Sequence, residues 1–179
     1  MAVINVKSNS VINLDATPIV ANVAGEGGAS DSKITDGVVP GTSVAAAASI
    51  ASTFQFCRVP SNCKIKKLWF ESAAQAAGTM NLGLTYATDG SVNSTTPPTV
   101  VGAGGATLFG SAIALTAASG PTDVTNQSGN FTADKRQQPL WQAAGLTKDP
   151  GGWFDITGTL AAAITTGTGL MGLTVAYTD

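Results

Sequence analysis

Residues 53–89, TFQFCRVPSNCKIKKLWFESAAQAAGTMNLGLTYATD, carry the densest alternation of apolar and polar side chains in the chain. A two-residue period places successive side chains on opposite faces, which commits such a stretch to β-strands. Phe54, Phe56 and Arg58 share one parity, and Gln55, Cys57 and Val59 share the other. Pro60-Ser61-Asn62 interrupts the ladder, because proline has no N–H to donate and Ser and Asn favour turns. A second strand over 64–71 changes parity near Lys66-Lys67. A bulge there lets Ile65, Leu68 and Phe70 all face a core. In a third strand, 79–86, Met80, Leu82, Leu84 and Tyr86 alternate with Thr79, Asn81, Gly83 and Thr85. Three strands with short connections predict an antiparallel meander at the centre of an all-β domain.

The rest of the chain reads in the same way. Residues 2–14, AVINVKSNSVINL, are strand-prone and followed by a glycine-rich stretch. They can pair at an edge of their own domain or reach a neighbour as an arm. We take 1–15 as an extended arm and 16–179 as one domain, with Val3, Ile4, Val6, Val11 and Ile12 as the arm's contact residues. A short strand is expected at 33–39. Residues 42–52 read as an extended lead-in, with Ile50 and Ser52 continuing the parity of Phe54. Further strands are expected at 107–115, 153–160 and 169–178, with 120–138 irregular. One short helix is expected near 139–145, with Pro139 at its start and Gly145 at its end. About eight strands in one domain without repeats predict a single antiparallel β-sandwich, jelly-roll-like in its winding.

Composition narrows the chemistry. Only 11% of the 179 residues are charged, far below the usual quarter. That suits a surface covered by partners, where unpaired charge is costly to bury. The formal net charge of −2 gives no overall field toward nucleic acid. There is no histidine, which excludes Ser-His-Asp and Cys-His catalysis and His-bearing zinc sites. Glu26 and Glu71 are the only glutamates; Glu71 with Asp89, Asp134 or Asp155 has no spacing that argues for a glycosidase pair. The run Gly25-Glu26-Gly27-Gly28 lacks the Lys-Ser/Thr ending of a phosphate loop. No enzyme activity, cofactor or metal is therefore expected. Cys57 and Cys63 flank the Pro60 turn and are expected as buried reduced thiols. No apolar run is long enough to span a membrane, and the first residues carry no secretory h-region, so the chain is expected to act where it is made or in a particle assembled there.

Three regions present contact chemistry. Trp69 points outward if Leu68 and Phe70 point inward, and an outward Trp suits an interface or a sugar-stacking platform. Pro97 and Pro98 lie in a long loop. Lys135 and Arg136 form an adjacent basic pair beside the separate cluster Lys64, Lys66 and Lys67.

The order of segments STFQFCRVPSNCKIKKLWFES, GTMNLGLTYATDG, TLFGSAIAL, PLWQAAGLTKDPGGWFDITGTL and GTGLMGLTVAYTD resembles the head decoration, or cement, proteins of tailed bacteriophages. The likeness spans about residues 50–179. It rests on the VPSN turn before a central strand, the LW…GL…DPGG segment, and the V-x-Y ending. The resemblance implies a jelly-roll-like β domain on the outside of a virion shell that bridges neighbouring major capsid subunits. The partners it implies are the phage major capsid protein and sister copies in a dimer or trimer, with neither nucleic acid nor membrane. The alternative function is a carbohydrate- or receptor-binding jelly roll on a virion surface or fibre.

Overall fold

The computed structural model describes residues 5–7, 11–12, 15, 32–40, 48–87, 98–165 and 169–178. Nine strands occur among them: β1 (Asn5–Lys7), β2 (Ser32–Val39), β3 (Thr53–Pro60), β4 (Lys64–Ser72), β5 (Thr79–Tyr86), β6 (Gly110–Ala114), β7 (Ser119–Asp123), β8 (Trp153–Ala162) and β9 (Met171–Thr178). Two 3₁₀ turns, Gly105–Thr107 and Ala133–Gln137, and one helical turn, α1 (Leu140–Ala143), lie between the strands, and Val11, Ile12 and Asp15, in the segment expected to be extended, are helical.

The strands form two sheets that pack into a sandwich. The first has the order β1-β3-β8-β5-β6 and the second β2-β9-β4-β7. From β2 onward the chain changes sheet at every connection except β5 to β6. That winding of eight strands is a jelly roll. All ladders are antiparallel except β1 with β3, which is parallel.

The expected meander is therefore corrected. β3, β4 and β5 are consecutive, yet none pairs with the next. β3 takes its hydrogen bonds from β1 and β8, β4 from β9 and β7, and β5 from β8 and β6. The Pro60–Cys63 turn crosses between layers instead of folding back. The Ser61 N–H donates to the Gly152 carbonyl at 3.0 Å, and the N–H groups of Leu140 and Trp141 donate to Cys63 and Ser61 carbonyls at 2.8 and 3.0 Å. Those bonds tie the turn to the start of β8 and give the first N–H groups of α1 their acceptors.

Local sequence accounts for the rest. A register shift between Ile65 and Lys67 brings Ile65, Leu68 and Phe70 to the core, where all three are buried. Phe56 of the first sheet meets Phe70 of the second edge to face, with centroids 6.0 Å apart. The sheets also approach at one margin, where a Cβ built on Gly37 of β2 would stand 1.9 Å from the Phe56 carbonyl oxygen. Only glycine fits there. Two local expectations fail. Ile50 is 59% exposed in a turn before β3, where Ala51 takes a positive φ of 69°. β7 lies within the stretch expected to be irregular. It is an edge strand paired only with β4, a position that tolerates Pro121.

Candidate functional site

The charged side chains of the described residues gather mainly on the two opposite outer faces of the sandwich, buried on the first and more accessible on the second. The first is the outer face of the first sheet. Phe54, Val59, Phe154 and Ile156 point into the core. The opposite parity carries Thr53, Gln55 and Arg58 of β3, Asp155 and Thr157 of β8, Thr85 of β5, and Asn5 and Lys7 of β1. These polar residues are not in open solvent. Asp155 is fully buried, and the side chains of Lys7 and Arg58 are only 5% and 8% exposed.

They are joined in one ionic network. Arg58 Nε donates to Asp155 Oδ1 at 2.7 Å and its NH2 group to Oδ2 at 3.0 Å. Gln55 donates to the same Oδ2 at 2.9 Å. The remaining Arg58 nitrogen donates to Asp15 Oδ1, and Lys7 Nζ donates to Asp15 Oδ2 at 2.7 Å. A bidentate guanidinium–carboxylate pair is the strong form of such a contact. Burial acts first on both partners. It pushes the Asp155 carboxyl above its ordinary range, more than Arg58 pulls it down. Burial also lowers the Arg58 value, but hydrogen bonds to Asp155 and then Asp15 outweigh it, so the guanidinium stays charged. Across the same face, Thr85 and Thr157 hydroxyls share a hydrogen bond of 2.7 Å.

This network fixes part of the N-terminal segment. Asn5–Lys7 pairs with Thr53–Gln55 of its own domain. Val6 turns into the core and Val11 is completely buried, while Ile12 is half-buried. The described part of the expected arm thus lies against the body of the sandwich, because the Lys7 and Asp15 charges find partners there. Val3 and Ile4 lie outside the described residues.

The second surface is the outer face of the second sheet. Cross-strand register aligns Asp36, Thr174, Trp69 and Asp123 in one row. Trp69 is outward, as its parity predicts, and half-buried. Lys67 Nζ stands 5.5 Å from the Trp69 ring centroid and 3.7 Å from Asp123 Oδ2. Asp123 is held below the ordinary carboxylate range, chiefly by the Thr125 hydroxyl, with Lys67 and Arg136 adding to it. The 3₁₀ turn that carries Lys135 and Arg136 packs on β4, and Lys66 Nζ donates to the Arg136 carbonyl at 3.5 Å. The structure therefore merges two basic clusters that are about seventy positions apart in sequence. On the β2 side of this face, Ile34, Val38 and Leu170 are exposed, and Val38, Glu71, Gly172 and Leu170 line a shallow groove.

Other candidates are dispersed. Pro97 lies outside the described residues, and Pro98 is half-buried next to Thr99–Val101, which binds the edge of β5. Glu71 and Asp155 sit on opposite outer faces, so the sandwich separates them. Cys57 is buried and its thiol is raised by burial, with Asp36 and Asp155 adding to the effect; its Sγ lies 3.4 Å from the Leu173 carbonyl oxygen. Cys63 is buried as well. Sequence reasoning missed the pairing of Arg58 with Asp155. The available signal was a single ionisable group, opposite in charge, inside each of two strands otherwise free of charge. It also missed that Trp153 is 50% exposed, at the end of β8 opposite Pro60.

Among the described residues, no group of three His, Cys, Asp or Glu side chains could hold a metal ion, and no helix is long and apolar enough to cross a membrane.

No family model matches the chain, and no curated protein matches it. Among solved structures, a chain from the cyanophage Pam1 capsid asymmetric unit aligns at 20% identity and a TM-score of 0.45 over 88% of this chain and 93% of that one. A chain from the capsid of Ralstonia phage GP4 aligns at 13% identity and a TM-score of 0.56, over 98% of this chain and 97% of that one. The second likeness runs almost from end to end of both chains, and what the two share is the fold.

Proposed function

We propose that this chain is a structural protein of a tailed-phage virion, without enzymatic activity, that decorates the capsid and stabilises it by bridging neighbouring major capsid subunits. The observation that carries the reading is the near end-to-end fold likeness to a chain of the Ralstonia phage GP4 capsid. Two features of the chain support it. Charge is scarce for a surface of this size, as suits a molecule that buries much of its exterior against partners. Contact-prone side chains also occur on both outer faces of the sandwich: Trp153 on one, and Trp69, Ile34, Val38 and Leu170 on the other. A bridge needs two separate contact faces. Many copies, each adding a modest interface, then reinforce a shell through avidity. Quantitative protein analysis of purified heads of the encoding phage tests the reading. The chain is expected at a fixed stoichiometric ratio to the major capsid protein. Its absence from washed heads would reject the proposal.

A further inference from the structure

We propose that the basic patch shared by β4 and the 3₁₀ turn at Ala133–Gln137 docks onto an acidic protein surface, with Trp69 as its aromatic anchor. The proposal rests on the virion reading above and adds the chemistry of the partner.

The distribution of charge is the first argument. The chain has nine cationic side chains, and five of them, Lys64, Lys66, Lys67, Lys135 and Arg136, gather here through the Lys66–Arg136 contact and the β4 register. Lys7 and Arg58 are consumed in the buried network on the opposite sheet. Only Lys33 and Lys148 remain as other cations. Among the described residues, Asp123 and Asp134 lie beside the five cations and Asp36 ends the Trp69 row, so cations outnumber these carboxylates five to three on a molecule that is negative overall.

Availability is the second argument. The patch makes a single ion pair among the described residues, Lys67 with Asp123, and both of those side chains are about half exposed. Such a pair contributes little to stability and is easily exchanged. Trp69, flanked by Lys67, adds a rigid amphipathic contact of the type found at interface centres.

The interleaved acids choose between classes of partner. Asp123 and Asp134 stand among the lysines, and Asp36 ends the row that contains Trp69. A phosphate backbone would meet these fixed negative charges along its length. A protein surface can place its own carboxylates against the cations alone.

The test uses heads of the encoding phage from which this protein has been stripped, with re-binding measured for the full chain. Reversing charge in Lys64→Glu/Lys67→Glu and in Lys135→Glu/Arg136→Glu should each weaken re-binding by about tenfold or more. Wild-type binding should weaken steeply as salt rises through about 0.05 to 0.3 M. Trp69→Ala should weaken binding at every salt concentration. Lys33→Glu and Lys148→Glu should bind as wild type. Should a reversal variant unfold, Lys64→Ala/Lys135→Ala is expected to give a smaller loss of the same sign. If wild type re-binds and the patch variants re-bind equally well, the patch assignment is wrong while the virion reading stands. If wild type fails to re-bind at all, both fall. Tight binding of wild type to duplex DNA that is lost in the same variants would overturn the protein partner in favour of nucleic acid.

Discussion

Arg58 and Asp155 face each other across β3 and β8 through two hydrogen bonds of 2.7 and 3.0 Å, on a sheet face where neither is open to solvent. The pair links three parts of the molecule. Arg58 also reaches Asp15, and Asp15 reaches Lys7 of β1. Breaking one member of a buried pair strands the other, which typically costs about 3–5 kcal/mol. Arg58→Ala should therefore destabilise the domain by that order. The double change Arg58→Met/Asp155→Leu should cost much less, because neither charge is left behind. Equilibrium urea unfolding of the two variants tests this, and equal losses would contradict it.

The same carboxylate gives the pH dependence a definite sign. Burial raises the Asp155 value in the folded state, so the native protein holds this proton more tightly than the unfolded chain. Its contribution to stability is then greatest below the ordinary aspartate value, about 3.9, and is lost as pH rises through the higher folded value. Asp123, lowered by Thr125, has the opposite sign. Its contribution is present above the ordinary value and lost as pH falls through its folded value. Asp155→Asn should remove the first slope, and Asp123→Asn the second, in unfolding free energies measured from pH about 3 to 7. Identical pH profiles for wild type and Asp155→Asn would refute the assignment.

Gly37 sits where the two sheets converge. A Cβ there would overlap the Phe56 carbonyl, which is backbone and has little freedom to yield. Gly37→Ala is expected to destabilise by about 1–3 kcal/mol or more. Gly120, on edge strand β7, has open space around its Cβ position, so Gly120→Ala should be near neutral. Thermal melts of the two variants make the comparison, and equal melting temperatures would count against the close approach.

Removal of residues 1–15 deletes Val6, Val11, Lys7 and Asp15 together. Val6 and Val11 are buried, and burying a valine contributes about 1.5–3 kcal/mol. The truncated domain should fold but lose at least about 2 kcal/mol. If its melting temperature is unchanged, the segment is a detachable arm of the kind that its strand-prone sequence also allows.

Much of the architecture was legible because it is local. The period of two in Met80 to Tyr86 and in Met171 to Tyr177 marks strands directly, and the parity slip at Lys66-Lys67 marks a bulge that places Trp69 outward. Partner choice was not legible. Phe54 to Val59 looks the same whether its neighbour is the next strand or one a hundred residues on, and here it is β8. β7 escaped because SGPTD carries no apolar alternation; it is held by its ladder to β4, not by burial. The ionic network escaped because Lys7, Asp15, Arg58 and Asp155 are spread over almost the whole chain. The two basic clusters were each visible, but only the fold brings them to one surface.

The most direct test of the central claim is an electron cryomicroscopy map of the encoding phage's head. The account predicts a two-sheet density that fits this jelly roll on the outer surface of the shell, with each copy touching at least two neighbouring major capsid subunits. Density for this chain inside the shell, contact with a single capsid subunit per copy, or a shell with no such density would contradict it.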